Sequence, residues 1–413
     1  MDILKSKALL ITEFFIVLLC ISLILMAGLS NKSKNPNPKA TQPPSAISQS
    51  ESTSYSTQNN TTGLPLSIPK GFALSNVVTQ LKSPRVILID PKQNILISDP
   101  GDGKIYLSRD DNKNQKPIAI ISNLNKPHGL ELLCIESKCT LFIAESDNVS
   151  KYDYTLNSDI PIISNKQKIL DLPQGGNHIS RSIKLYKGKL LVSIGSSCNV
   201  CIESDKRRGA VLIVDLDGKN IKIFASGLRN SVFMVNNPFD DSIWATEMGR
   251  DLIGDDIPPD EVNVLKEGQN YGWPMCYGSN VHDSIYDTKN YLKNPCDKPE
   301  YIPSQVNLQA HSAPLGLAFI PNTSEFDEGL RNNLLVAYHG SWNRSKKTGY
   351  KIVKIKLDEA GEYVSTEDFI TGWLDSSNKV LGRPVDIKFN SKNNSFYISD
   401  DKLGVVYKLA LTK

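Results

Sequence analysis

One pattern returns along most of this chain: a short apolar strand, a turn rich in Asp, Gly or Ser, and a second strand. The copies are NILISDPGDGKIYLS from Asn94, TLFIAESDNVSKYDY from Thr140, and KLLVSIGSSC from Lys189 continued by GAVLIVDLDG. SIWATEMGRD follows from Ser242, NLLVAYHGSW from Asn333 with GYKIVKIKLD, and SFYISDDKLGVVYKLAL from Ser395. Upstream of several copies a Pro or Gly leads into another apolar run, as in SPRVILID, KPHGLELL, APLGLAFI and GRPVDIKF. Alternating apolar positions with almost no helical periodicity predict an all-β chain. Six copies over residues 66–413 leave about 58 residues each, room for one four-stranded blade, so a six-bladed β-propeller is expected. A sandwich array or a solenoid is the weaker alternative, because these units vary in length and solenoid repeats are usually shorter. Phe72–Val78 is placed to supply the strand that closes the last blade, and the long gap holding Cys276 and Cys296 reads as an insertion.

The N-terminus is of another kind. Ala8–Leu29 is apolar apart from Glu13 and is long enough to cross a bilayer, so residues 1–29 read as a signal anchor or, alternatively, a cleaved signal peptide. Residues 30–65 contain little that is apolar and read as a disordered linker, leaving 66–413 as the propeller. Lysines flank the span on both sides, so the charge bias does not orient it.

Cysteines address the compartment. Beyond Cys20 there are six, in three local pairs: Cys134/Cys139, Cys198/Cys201 and Cys276/Cys296. Such pairs suit disulfides in an oxidising space and predict a propeller on the extracellular or periplasmic side of a membrane, or secreted. Cys198 and Cys201 would also fit a redox pair or half a zinc site, but no second CxxC completes the latter. With 47 Lys+Arg against 44 Asp+Glu, the net charge of +3 provides no basic field, and nucleic acid is not an expected partner.

A propeller gathers functional side chains from loops at one mouth of its channel. His178, after a Gly pair and just before a blade's first strand, is one candidate. Arg229 and Asn230 hold the equivalent place one blade later, and Arg383 in the last blade. Together they would aim a base and two cations at one axis. The acidic run Asp251, Asp255, Asp256, Asp260 and Glu261 reads as a solvated loop rather than a metal cluster, and Trp273, Trp342 and Trp373 as packing residues.

These residues carry a resemblance. GGNHISRSIKL, ASGLRNSVFMVNNPFDDSIWATEMGRD with the following DEVNVLKEGQNYGWP, AHSAPLGLAF, VAYHGSWNRS and GRPVDIKF resemble the soluble glucose and sorbosone dehydrogenases. That family consists of six-bladed propellers using pyrroloquinoline quinone (PQQ) and calcium. The resemblance implies oxidation of a sugar or related alcohol or aldehyde, with electrons leaving to an external acceptor. It makes His178 the base that takes the substrate hydroxyl proton as hydride passes to the quinone, and Arg229 the cation beside the quinone carbonyl. Asn230 and Arg383 become cofactor contacts, and the backbone carbonyls of Gly249 and Arg250 calcium ligands. His339 or Arg344 would stand in for a family lysine, and His128 for a glutamine. Two positions depart: Asn177 replaces an acid beside the base, and Val385 replaces a second carboxylate-binding arginine. A calcium-dependent lactonase-type hydrolase and a non-catalytic recognition propeller are the alternatives.

Overall fold

The computed structural model describes residues 54–109, 116–323 and 325–412. Ala8–Leu29, and with it the expected anchor, lies outside them. The described residues form β-strands and no α-helix, and six sheets of four or more strands stand side by side.

Blade 1 comprises Ile87–Ile89, Asn94–Asp99, Lys104–Arg109 and Ile118–Ile121, and blade 2 comprises Leu130–Ile135, Lys138–Ala144, Asn148–Thr155 and Ile162–Asp171. Blade 3 runs Arg181–Tyr186, Lys189–Ile194, Ala210–Val214, Lys222–Ser226 and gains a parallel edge from Gln269–Asn270. Blade 4 holds Met234–Asn236, Ile243–Glu247, Asp260–Leu265 and Val306–Leu308, and blade 5 holds Pro314–Phe319, Leu334–Tyr338, Lys351–Leu357 and Tyr363–Ile370. Blade 6 is built from Pro384–Asn390, Ser395–Asp400, Val405–Leu411 and, from the other end of the chain, Phe72–Val78. The first strand of each blade neighbours the first strands on either side, which closes the ring.

Burial grades outward in a way that explains the sequence pattern. Second strands such as Asn94–Asp99 and Ser395–Asp400 are buried at every position, because neighbouring blades cover both faces. The outermost strand Ile162–Asp171 is exposed at most positions and reads IISNKQKILD. Clusters of apolar side chains fill the spaces between blades, the largest joining blades 5 and 6 through Trp373, Phe396 and Tyr407.

All three expected disulfides form. Cys276–Cys296 pins the insertion, which lies within blade 4 between its third and fourth strands. One boundary is corrected: residues 54–65, read as linker, fold onto the propeller. Tyr55–Ser56 pairs with Ile68–Pro69, and the Asn60 amide donates to the carbonyls of Leu64 (2.7 Å) and Leu66 (3.0 Å). Leu66 and Ile68 are fully buried, so a few anchors and local side-chain bonds order a stretch whose composition is that of a disordered one.

Candidate active site

Blades 3, 4 and 5 enclose a cavity of about 310 Å³ at the mouth where their first strands begin. Its walls are loops: those entering the first strands bring Asn177, His178, Arg229, Asn230, His311 and Ala313, and those after the second strands bring Gly249, Asp251, Trp342 and Asn343.

His178 is held by the main chain. Its Nδ1 lies 3.0 Å from the Ser196 carbonyl and 2.9 Å from Ser196 Oγ, and that hydroxyl donates to the Cys198 carbonyl at 2.7 Å. A carbonyl only accepts, so Nδ1 carries the proton and Nε2 keeps its lone pair, without a partner among the described residues. The orienting task expected of an acid at Asn177 is performed by Ser196. Burial, and then the positive charge of Arg229, push the imidazole down to about 4, so it is neutral at ordinary pH. The loop beneath is anchored by Arg181, which is fully buried and donates to the carbonyls of His178, Ser180 and Pro173.

Arg229 is buried and fully engaged. It meets Asp251 at 2.7 Å, the Gly249 carbonyl at 2.8 Å, and both the carbonyl and the side-chain oxygen of Asn199 at 2.9 Å. The guanidinium expected as a fixed cation is held in a charge-neutral pair inside the cavity wall. Asn230 donates its backbone N–H to Glu247 (2.7 Å), a buried carboxyl that burial raises well above its usual range. The Asn230 side chain bonds Met248 Sδ at 3.4 Å.

The acidic run divides. Asp255 is half-buried and Asp256 exposed, and they are tied to Ser345 and Arg344 at the surface, as a solvated loop requires. Asp260 and Glu261 are buried, which corrects the expectation for those two. Asp260 accepts the N–H groups of Gly249 and Ala313, both at 2.9 Å, and burial lifts its carboxyl to about 7.

Of the expected site residues, His178, Arg229, Asn230 and Gly249 meet in the cavity; five others do not line it. Arg383 donates to the carbonyls of His339 (3.1 Å) and Gly340 (2.8 Å) and lies over the Tyr350 ring. His339 is spent on Asp401 (2.9 Å), whose carboxyl, despite burial, is held well below its usual range by His339 and Arg85. Arg344 pairs with Asp256. His128 is buried against Phe233, with Nδ1 3.2 Å from Ser182 Oγ. Arg250 turns its side chain to Asp283 in the insertion, at 2.8 Å. Trp342, expected as packing, is 71% exposed on the cavity rim, whereas Trp373 is fully buried. Asp251, expected on a solvated loop, instead pairs with Arg229 in the cavity wall. Asn199, His311 and Asn343 were not expected at the site and sit on loops without periodicity, Asn199 within CNVC and Asn343 just after GSW.

Fold and cavity define a class: a six-bladed propeller with a neutral histidine and a buried arginine–aspartate pair at one mouth. The chain belongs to the TrAA12-like family, whose model matches residues 66–412. An uncharacterized protein of Borreliella burgdorferi is 32% identical over 366 residues, spanning 84% of this chain and 91% of its own. A pyrroloquinoline quinone-dependent pyranose dehydrogenase of Coprinopsis cinerea is 22% identical over 405 residues, 83% of this chain; the chain spans 54% of that enzyme. The calcium structure of the Trichoderma reesei carbohydrate-active enzyme of family AA12 superposes with a TM-score of 0.71 at 20% identity, covering 86% of this chain and 100% of that one, a likeness of fold.

Proposed function

We infer that this chain is a sugar oxidoreductase that works with PQQ and calcium. The observation that carries the reading is the unprotonated Nε2 of His178 in a cavity shared with Arg229. The fungal relative named as a PQQ-dependent pyranose dehydrogenase, and the family AA12 enzyme solved with calcium, support the cofactor assignment. When bound, PQQ supplies the two-electron acceptor and calcium the Lewis acid that polarises it.

The donor set fits both groups. The Gly249 carbonyl, which keeps a second lone pair beside its bond from Arg229, and the Arg250 carbonyl next in sequence are the hard oxygen donors that would hold calcium. The side chains of Asn177 and Asn230 line the cavity as polar contacts for an anionic ring system, Arg229 adds positive charge from the wall, and the cavity volume accepts a small planar molecule.

His178 Nε2 would take the proton of the substrate hydroxyl, while Ser196 keeps Nδ1 protonated and the ring aimed. Arg229, fixed by Asp251 and Asn199, holds positive charge beside the reacting centre without having to move. Trp342 offers an exposed ring at the rim, the kind of face a pyranose covers. The hydrolase reading needs several carboxylates free to hold one cation, whereas Asp251 is committed to Arg229 and Asp260 to two amides. Three disulfides support an oxidising location, and we include the N-terminal membrane anchor in the proposal. The test adds PQQ and calcium to purified protein and follows dye reduction with a panel of pyranoses. A quinone absorbance with turnover is expected; neither appearing with any sugar sinks the enzyme reading.

A further inference from the structure

The first strands of a propeller line its channel from mouth to mouth, and the candidate active site occupies only the end where they begin. Toward their other end lies a second cavity of about 380 Å³, which shares no lining residue with the first. Its wall is largely aliphatic and aromatic, with Leu130, Ile183, Leu317, Ile387 and Phe319 contributed by four blades.

Four ionisable side chains face it. Glu131 and Lys184 neutralise one another at 2.8 Å. Asp386 spends both carboxylate oxygens on backbone amides, those of Ile87 and Ile387, each at 2.8 Å. Lys388 is left over: among the described residues its ammonium has no hydrogen-bond or ion-pair partner, although burial, and then the charge of Lys184, lowers its pKa. A half-buried ammonium with three unused donors, set in an apolar chamber, is costly unless an anion completes it.

We propose that this far end of the channel is a second ligand site, selective for a small monocarboxylate with an aliphatic tail. The carboxylate accepts from Lys388, and the tail lies against Leu130, Ile183, Leu317 and Ile387. An inorganic anion would satisfy the ammonium but leave the apolar wall wet, and a neutral alcohol would do the reverse. The site is independent of the dehydrogenase reading, since no residue of the first cavity takes part.

The full-length chain is titrated with hexanoate, using saturation-transfer NMR to observe the ligand, in parallel with hexanol and with sulfate. Hexanoate binding is expected, with hexanol and sulfate at least about tenfold weaker, the size of one charge-assisted hydrogen bond. Lys388→Met should weaken hexanoate by about tenfold or more. It should also raise the melting temperature, because it removes an unpaired ammonium from an apolar wall, and that rise verifies that the variant is folded. Lys388→Arg should retain binding. Hexanol binding as well as hexanoate, no binding at all, or undiminished binding by a folded Lys388→Met overturns the proposal.

Discussion

At the scale of single residues, the state of His178 is set by where its protons are held. The Ser196 carbonyl fixes the proton on Nδ1, and burial with Arg229 nearby removes the charge from the ring. His178→Ala should therefore lower turnover by about 10²–10⁴-fold, the usual worth of a positioned base, while leaving cofactor absorbance in place. Activity at the level of the unaltered protein would show that another group takes the proton. The depressed pKa also fixes a pH dependence. A base that protonates near 4 rather than at 6.5 stays competent through mildly acidic conditions, so the acid limb of kcat/KM should fall near pH 4. The sign for stability follows: a folded-state value below the unfolded one gives stability that is present above pH 6.5 and lost as pH falls through about 4. An acid limb centred near 6.5 would mean that the ring is solvated in the working protein.

At the scale of elements, four of the six blades share a device that blades 3 and 5 lack. A carboxylate at the end of the second strand accepts an N–H from the loop entering the first strand. Asp99 takes Lys82 and Ser83, Glu145 takes Asn125, Glu247 takes Asn230, and Asp400 takes Arg383. In blade 3 the corresponding residue is Gly195, and the space goes to the active-site side chains. A Cβ there would meet Asn230 Oδ1 and His178 Cβ, both at 2.6 Å. Gly195→Ala should thus displace both and reduce kcat/KM by about 10²-fold or more, with little change in melting temperature; unchanged kinetics would separate Gly195 from the site. The adjoining loop carries Cys198–Cys201, whose Cys198 carbonyl fixes Ser196 and whose Asn199 fixes Arg229. Replacing both cysteines by alanine should lower kcat more than it lowers stability, and equal activity in the folded double variant would reduce the disulfide to a staple of the fold alone. The reading of CNVC as a disulfide was legible in the sequence; that its central Asn199 clamps Arg229 was not, because hydrogen bonds between loops leave no periodic trace.

At the scale of the whole molecule, what the sequence disclosed follows burial. Second strands covered on both faces, such as ILISD and FYISD, stand out as apolar runs, and so the blade count could be read directly. Outer strands such as Ile162–Asp171 are solvated and pass for loops. The cavity was half legible for a related reason: His178, Arg229 and Asn230 occupy a repeated place before first strands, whereas the commitment of Arg383 and Arg344 to other partners depends on which carbonyls and carboxylates lie within reach. Closure of the ring was legible from position alone, and it carries the strongest stability argument. Leu74 pairs with Leu409 across the join between the two ends of the chain and is fully buried in the cluster that links blades 5 and 6. Opening that join exposes the first-strand ring as well as one sheet, so its loss is felt by every blade. Leu74→Ala should cost about 2–5 kcal/mol by denaturant titration, with a single transition retained. Ile162→Ala, the same kind of truncation at a 57% exposed position on an outermost strand, should stay within about 0.5 kcal/mol. Similar costs for the two, or an early separate transition in Leu74→Ala, would mean that blade 6 melts on its own and that the join does not hold the ring.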